Sequence, residues 1–176
     1  MMKNMIDKDF LKQSRAQLGS LTIHNLSQKE AIQGIINLAD EKNVHVVVTP
    51  NLDHLALFSH YEGLLSYYNQ ASLCLVDGWP VQLFLKMMGI TIKERVTGSG
   101  IIQELCQHAY QAGQKMFFLG GPTGVGDLLS YKLKTDYPNI EVASYTPPFS
   151  AEFSKSDNQE IIRRINDFKP NLLFLA

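Results

Sequence analysis

Short apolar runs rich in β-branched and aromatic residues recur along the chain, with helical periodicity between them. The runs fall at 20–25 (SLTIHN), 44–49 (VHVVVT), 72–76 (SLCLV), 115–120 (KMFFLG), 140–145 (IEVASY) and 171–176 (NLLFLA). Their length and composition predict buried strands. Helices are predicted at about 27–41, 53–69, 80–88, 99–112, 124–136 and 156–168. Ser27 with Glu30 and Ser156 with Gln159 form candidate capping boxes, and Asp53 and Thr123 are candidate caps. Gly89, Gly113 and Pro170 mark helix ends. Strands without polar alternation, separated by helices, predict an α/β fold whose mostly parallel sheet is covered on both faces.

Residues 1–19 read as a mobile or helical N-terminal arm, and 20–176 as one α/β domain. The chain has no low-complexity segment or internal repeat. Its last apolar run, NLLFLA, reads as a central strand with nothing after it to cover it. On that ground the sequence is expected to be a fragment cut within or just beyond its last strand.

Composition narrows the function. A net charge of −1 and 45% hydrophobic residues describe an ordinary globular chain. They provide no basic field for nucleic acid, so no nucleic-acid partner is expected. The N-terminus mixes both charges without an apolar core, which excludes a signal peptide. No apolar run approaches the roughly 18 residues of a membrane span. A cytoplasmic protein is expected. Cys74 and Cys106 have no partner at metal-ligand spacing and read as buried, unreactive thiols.

The chemistry collects at the carboxyl ends of the predicted strands, where open parallel sheets bind ligands. Thr49, Pro50 and Asn51 follow one strand, and Asp77, Gly78, Trp79 and Pro80 follow the next. GGPTG (Gly120 to Gly124) and TPP (Thr146 to Pro148) follow the two after that. An acid at the end of an apolar run is costly to bury unpaired, so Asp77 is either a helix cap or a catalytic group. GGPTGVG is neither a Walker loop nor G-x-G-x-x-G. Its glycines suit either a plain strand-to-helix turn or close approach of the backbone to a phosphate at a helix N-terminus. Arg95, ahead of TGSG, is suited to a diphosphate through forked hydrogen bonds, or is a surface residue paired with Glu94 or with solvent.

Other signals stay structural. His54 and His60 do not share a helical face, while His24, His45 and His108 are isolated. The one D-x-D pattern, Asp7–Asp9, precedes the first strand and reads as surface charge. No metal and no cofactor are expected. The helix PVQLFLKMMG is apolar nearly all round, and reads either as a core helix or as a Met-lined groove for a lipid chain or partner subunit. An exposed face there would favour self-association into a homo-oligomer.

TPNLDHL, LVDGWPV, ERVTGSG, FFLGGPTGV and the helix IIRRIN before KPNLLFLA occur in order. As an ordered set they resemble the WecG/TagA/CpsF family, glycosyltransferase family 26, over about residues 20–176. The resemblance implies a Rossmann-like fold and inverting transfer of an N-acetylmannosamine-type sugar. The donor is a UDP-sugar and the acceptor a polyprenyl-diphosphate-linked sugar, in building wall teichoic acid, common antigen or capsule. It implies Asp77 as general base and Arg95 beside the diphosphate leaving group. Thr49 and Asn51 line the substrate pocket, Gly78 lets substrate approach, and Trp79 offers a face to sugar or lipid. Gly120, Gly121 and Gly124 lie at the nucleotide turn. The family continues past the last strand with a G-x-P-x-Q-E segment and a basic C-terminal appendage. This chain is expected to lack both, and with them peripheral attachment to the cytoplasmic membrane face. The competing readings are a non-catalytic UDP-sugar-binding module and a nucleotide-dependent Rossmann oxidoreductase.

Overall fold

The computed structural model describes residues 6–61, 63–150 and 152–176. The chain forms two compact units, Met1–Gln103 and Glu104–Ala176, with the boundary inside one long helix. The first five residues of the expected N-terminal arm lie outside the described residues.

In the first unit, α1 (Lys8–Gln13) is N-capped by Asp7, whose carboxylate accepts from Phe10 N–H at 2.8 Å. Asp9 sits in the first turn, where negative charge complements the helix dipole. The D-x-D pattern is therefore a helix start. Next comes β1 (Arg15–Leu18), a strand inside the stretch read as a mobile or helical arm. It pairs antiparallel with β2 (Leu21–His24). Its sequence, RAQL, contains no β-branched residue, so the pairing comes from its partner rather than from its own propensity.

The helix α2 (Gln28–Ala39) begins with the expected Ser27–Glu30 capping box. It is followed by β3 (Val47–Val48), α3 (Leu52–Leu57), α4 (Leu64–Gln70), β4 (Leu73–Cys74), α5 (Trp79–Met87) and α6 (Gly98–Ala112). The single helix expected over 53–69 is thus two, and Gly63, at φ 83°, starts the second. A left-handed residue cannot continue a right-handed helix. The cap of α3 is Asn51, not Asp53; Asp53 lies one turn-position inside, in the first turn.

Strands β3 and β4 pair in parallel, Val47 with Leu73 and Val48 with Cys74. Helices cover both of their faces. On one, Gly34 of α2 comes so close that an added Cβ would lie 3.4 Å from Leu73 Cδ1. On the other, Cys74 and Val76 pack with Leu21, Ile23, Val81 and Leu85 in a buried cluster.

The second unit holds the rest of α6, then β5 (Met116–Leu119), α7 (Val125–Asp136), β6 (Val142–Tyr145), α8 (Lys155–Phe168) and β7 (Leu172–Leu175). The strands form a parallel sheet in the order β6-β5-β7. Phe117 meets Phe168 of α8 on one face, at 5.7 Å between ring centroids. On the opposite face, Gly126 of α7 lies against Ser144 of β6. Two further caps differ from expectation. The capping box of α8 is Ser154–Asp157, not Ser156–Gln159. The cap of α7 is Gly124, with no side-chain bond from Thr123.

The described residues thus form a mixed α/β structure with small parallel sheets and eight helices. Among them, no helix is long and apolar enough to cross a membrane.

Candidate active site

Within the first unit, the turns after β3 and β4 are held side by side. The parallel ladder runs on beyond the two strands: Leu75 N–H donates to the Val48 carbonyl at 2.8 Å, and Asp77 N–H to the Pro50 carbonyl at 3.2 Å. Pro50 is buried, while Thr49, Asn51 and Asp77 are each half-buried. Gly98, at the start of α6, lies against Thr49: a Cβ there would stand 3.3 Å from Thr49 Oγ1. The TPN turn is therefore flanked by the DGWP turn at Pro50 and by the TGSG turn at Thr49.

The helix-cap reading of Asp77 is not what the structure has. The N-cap of α5 is Gly78, at φ 89° and ψ 140°, and no side chain caps that helix. Among the described residues the Asp77 carboxylate has no hydrogen-bond or ion-pair partner. Beside it Trp79 is exposed.

Asn51 does two jobs at most. Its Oδ1 accepts from His54 N–H at 3.2 Å, capping α3. His54 Nδ1 lies 3.3 Å from Asn51 N and 2.7 Å from Asn51 Oδ1, accepting from the first or donating to the second according to tautomer. The amide nitrogen of Asn51 is what it has left to offer a ligand. His54 is a cap partner rather than a solvated histidine.

Arg95 is exposed and, among the described residues, unpaired. The alternative partner, Glu94, is engaged elsewhere: its carboxylate accepts from Gln28 N–H at 2.8 Å. The loop carrying Arg95 is firmly tied. Asn25 Nδ2 donates to the Thr91 carbonyl at 2.9 Å, and Lys93 N–H donates to Asn25 Oδ1 at 2.7 Å. Lys93 Nζ reaches Glu30 at 3.0 Å. Val96 is buried beside it. Sequence reading missed Asn25 as an anchor because its partners lie far along the chain.

Gly120, Gly121 and Gly124 belong to the second unit. All three have positive φ. A Cβ on Gly120 would collide with the Ala176 carbonyl, so only glycine fits there. Gly120 N–H donates to the Tyr145 carbonyl at 2.9 Å, and Thr146 Oγ1 donates to the Gly120 carbonyl at 3.2 Å, which fixes the GGPTG turn against the TPP turn. Gly121 and Gly124 face open space. The first turn of α7 already carries Asp127, which accepts from Ser144 Oγ at 3.1 Å. That charge opposes an anion at this helix start.

The cavity found in this unit, about 380 Å³, lies instead along α8 and the sheet, lined by Phe117, Ser144, Arg163, Arg164 and Phe168 among others. None of the expected site residues lines it. Its arginines are committed: Arg163 pairs with Glu160 and Asp167, and Arg164 with Glu160. It is a helix–sheet seam.

Cys74 and Cys106 are free and buried, and burial pushes their thiols up to about 12 and about 11. At those values neither is a nucleophile near neutrality. His24 is buried with Nδ1 accepting from Cys74 N–H at 3.1 Å, and burial lowers its pKa to about 4. It is a neutral structural group.

A protein 28% identical over 130 residues, from Staphylococcus aureus (strain MRSA252), is an N-acetylglucosaminyldiphosphoundecaprenol N-acetyl-beta-D-mannosaminyltransferase. The match takes in 74% of this chain and 49% of that protein. Proteins of the same name from Bacillus spizizenii (strain ATCC 23059 / NRRL B-14472 / W23) and Bacillus subtilis (strain 168) match at 28% and 22% identity. The matches take in 66% and 61% of this chain, and 42% and 40% of those proteins. The chain thus spans about half the length, or less, of the curated relatives it matches. The family model for glycosyl transferases of the WecG/TagA/CpsF type matches residues 16–176, from β1 through β7. With nearly the whole chain covered by that match, the chain belongs to the WecG/TagA/CpsF glycosyltransferase family.

Proposed function

We propose that this chain carries the base-bearing core of an inverting transferase. It moves an N-acetylmannosamine-type sugar from a UDP-sugar to a polyprenyl-diphosphate-linked sugar, in the synthesis of a cell-surface polysaccharide such as wall teichoic acid, common antigen or capsule. The observation that carries the reading is the half-buried, unpartnered carboxylate of Asp77, hooked in register to the TPN turn. The names of the relatives support the sugar and the acceptor class.

On this reading the acceptor hydroxyl gives its proton to an Asp77 carboxylate oxygen as its own oxygen bonds to the anomeric carbon. The bond from that carbon to the donor's β-phosphate oxygen breaks, and its electron pair leaves with UDP. General base help of this kind is worth roughly 10²–10⁴ in rate. Negative charge grows on the diphosphate as it departs. Arg95, unpaired on a tied-down loop, is the cation assigned to meet it. Thr49 and the Asn51 amide contact the sugars, Gly78 keeps the approach to Asp77 open, and Trp79 faces sugar or lipid. Gly120, Gly121 and Gly124 are assigned to the nucleotide, within a Rossmann-like fold. The chemistry asks for no metal or cofactor. The protein works at the cytoplasmic face of the membrane, where its acceptor resides.

Thermal unfolding tests the donor assignment. UDP at about 100 times its dissociation constant stabilises a one-site protein by about 2.7 kcal/mol. UDP or UDP-sugar is expected to raise the midpoint and NAD to leave it unchanged. Stabilisation by NAD alone would revive the oxidoreductase reading. UDP binding without turnover would favour a non-catalytic binding module.

A further inference from the structure

The helix α5 is amphipathic the wrong way for a solvated surface. Val81 and Leu85 are 1% and 0% exposed and anchor it to the core. On the opposite side, Trp79, Leu83 and Met87 recur every fourth residue and are 65%, 46% and 75% exposed. Phe84 and Met88 flank them and are also exposed. At those fractions, side chains of this size present roughly 600 Å² of apolar surface, a contiguous patch of the size that marks an interaction site.

The helix itself carries one charge, Lys86, with Asp77 before it and Lys93, Glu94 and Arg95 after it; Lys93 and Glu94 are engaged, with Glu30 and with Gln28 N–H. Lys86 is exposed on α5 and, like Arg95, unpaired among the described residues. An apolar stripe with a tryptophan at one end and an unpaired lysine on the same helix is the pattern of a helix lying in the interface of an anionic bilayer. A second copy of the chain fits less well, because a standard interface buries about 800 Å² on each partner.

We propose that α5 is a membrane-docking element, which seats Trp79, Leu83, Phe84, Met87 and Met88 in the headgroup–acyl boundary of an anionic lipid bilayer, with Lys86 and Arg95 at headgroup level. The proposal rests on the transferase reading for its meaning. Since α5 begins two residues after Asp77, docking it would hold the base at the depth where a lipid-linked diphosphate sits.

Trp79 is the single tryptophan of the chain, so its emission reports on this helix alone. The protein is mixed with vesicles of phosphatidylcholine plus phosphatidylglycerol, and with vesicles of phosphatidylcholine alone, and binding is followed by co-sedimentation and by Trp79 emission. Binding to the anionic vesicles with a blue shift is expected. The double variant Leu83→Glu, Met87→Glu is expected to bind about tenfold more weakly or worse with an unchanged circular dichroism spectrum. Should that variant misfold, Lys86→Glu, on an exposed residue, is expected to weaken binding to the anionic vesicles alone. Absence of both sedimentation and blue shift with wild-type protein would overturn the proposal, as would undiminished binding by the folded variants. Equal binding to both vesicle types would overturn the anionic surface as occupant. A dimer that the double variant dissolves, without lipid binding, would assign the patch to a second copy. No UDP-sugar or sugar acceptor is present, so failure here leaves the role of Asp77 standing, and loss of that role leaves this binding untouched.

Discussion

Asp77 and Pro50, on neighbouring parallel strand ends, are joined by a backbone hydrogen bond of 3.2 Å from the Asp77 N–H to the Pro50 carbonyl. The bond prolongs the β3–β4 ladder past both strands. It sets a carboxylate without a partner among the described residues beside the Thr49–Asn51 turn.

Gly78 connects that carboxylate to α5 at φ 89°, ψ 140°, a conformation L side chains rarely adopt. Space is not the limit, because an added Cβ would meet only Pro80 Cδ at 3.5 Å. Gly78→Ala is therefore expected to cost on the order of 1–3 kcal/mol through backbone strain. Urea unfolding would read it as a lower midpoint with an unchanged slope.

The cap of α8 offers a test of register. Ser154 Oγ accepts from Asp157 N–H at 3.1 Å, and Asp157 Oδ2 accepts from Ser154 N–H at 3.0 Å. Ser154→Ala is expected to lower stability by about 1 kcal/mol. Ser156→Ala, which leaves both of these bonds in place, is expected to cost clearly less in the same unfolding measurement.

Burial lowers the pKa of His24 from its ordinary 6.5 to about 4, with the Arg15 charge adding to the effect. The folded protein thus binds fewer protons than the unfolded chain between these values, and stability rises with pH across that window. The contribution is complete above pH 6.5 and is lost as pH falls toward 4. It amounts to about 3 kcal/mol. Denaturant titrations at pH 7 and pH 4.5 should differ in this direction, and His24→Asn, though less stable at neutral pH, should show a flatter pH dependence.

Much of this was legible before the structure, for identifiable reasons. All six predicted strands are present in the two units, because continuous apolar runs between helical segments allow little else. The misses share a cause: local signals that compete within two or three residues. Ser154 with Asp157 and Ser156 with Gln159 have the same spacing, and the path of the preceding chain decides between them. Asn51 and Asp53 compete likewise for α3. Gly63 sits in an apolar rhythm that reads straight through it, and only its left-handed backbone breaks the helix. The strand β1 owes its existence to a partner. At the site, TPN and DGWP were visible as unusual strand-end residues and TGSG as a helix start, and of the two readings of Asp77 the structure removes the cap. The anchoring of the Arg95 loop by Asn25, and the contact of Gly98 with Thr49, depend on residues far apart in the chain and left no local mark.

The central claim is that Asp77 takes the proton of the acceptor hydroxyl. The most direct measurement is steady-state sugar transfer by wild type and Asp77→Asn, using a UDP-linked N-acetylmannosamine donor and a polyprenyl-diphosphate-linked N-acetylglucosamine acceptor, with UDP affinity measured in parallel. A fall in kcat of roughly 10²–10⁴ with UDP affinity little changed is the predicted result. Turnover within a few-fold of wild type would contradict it.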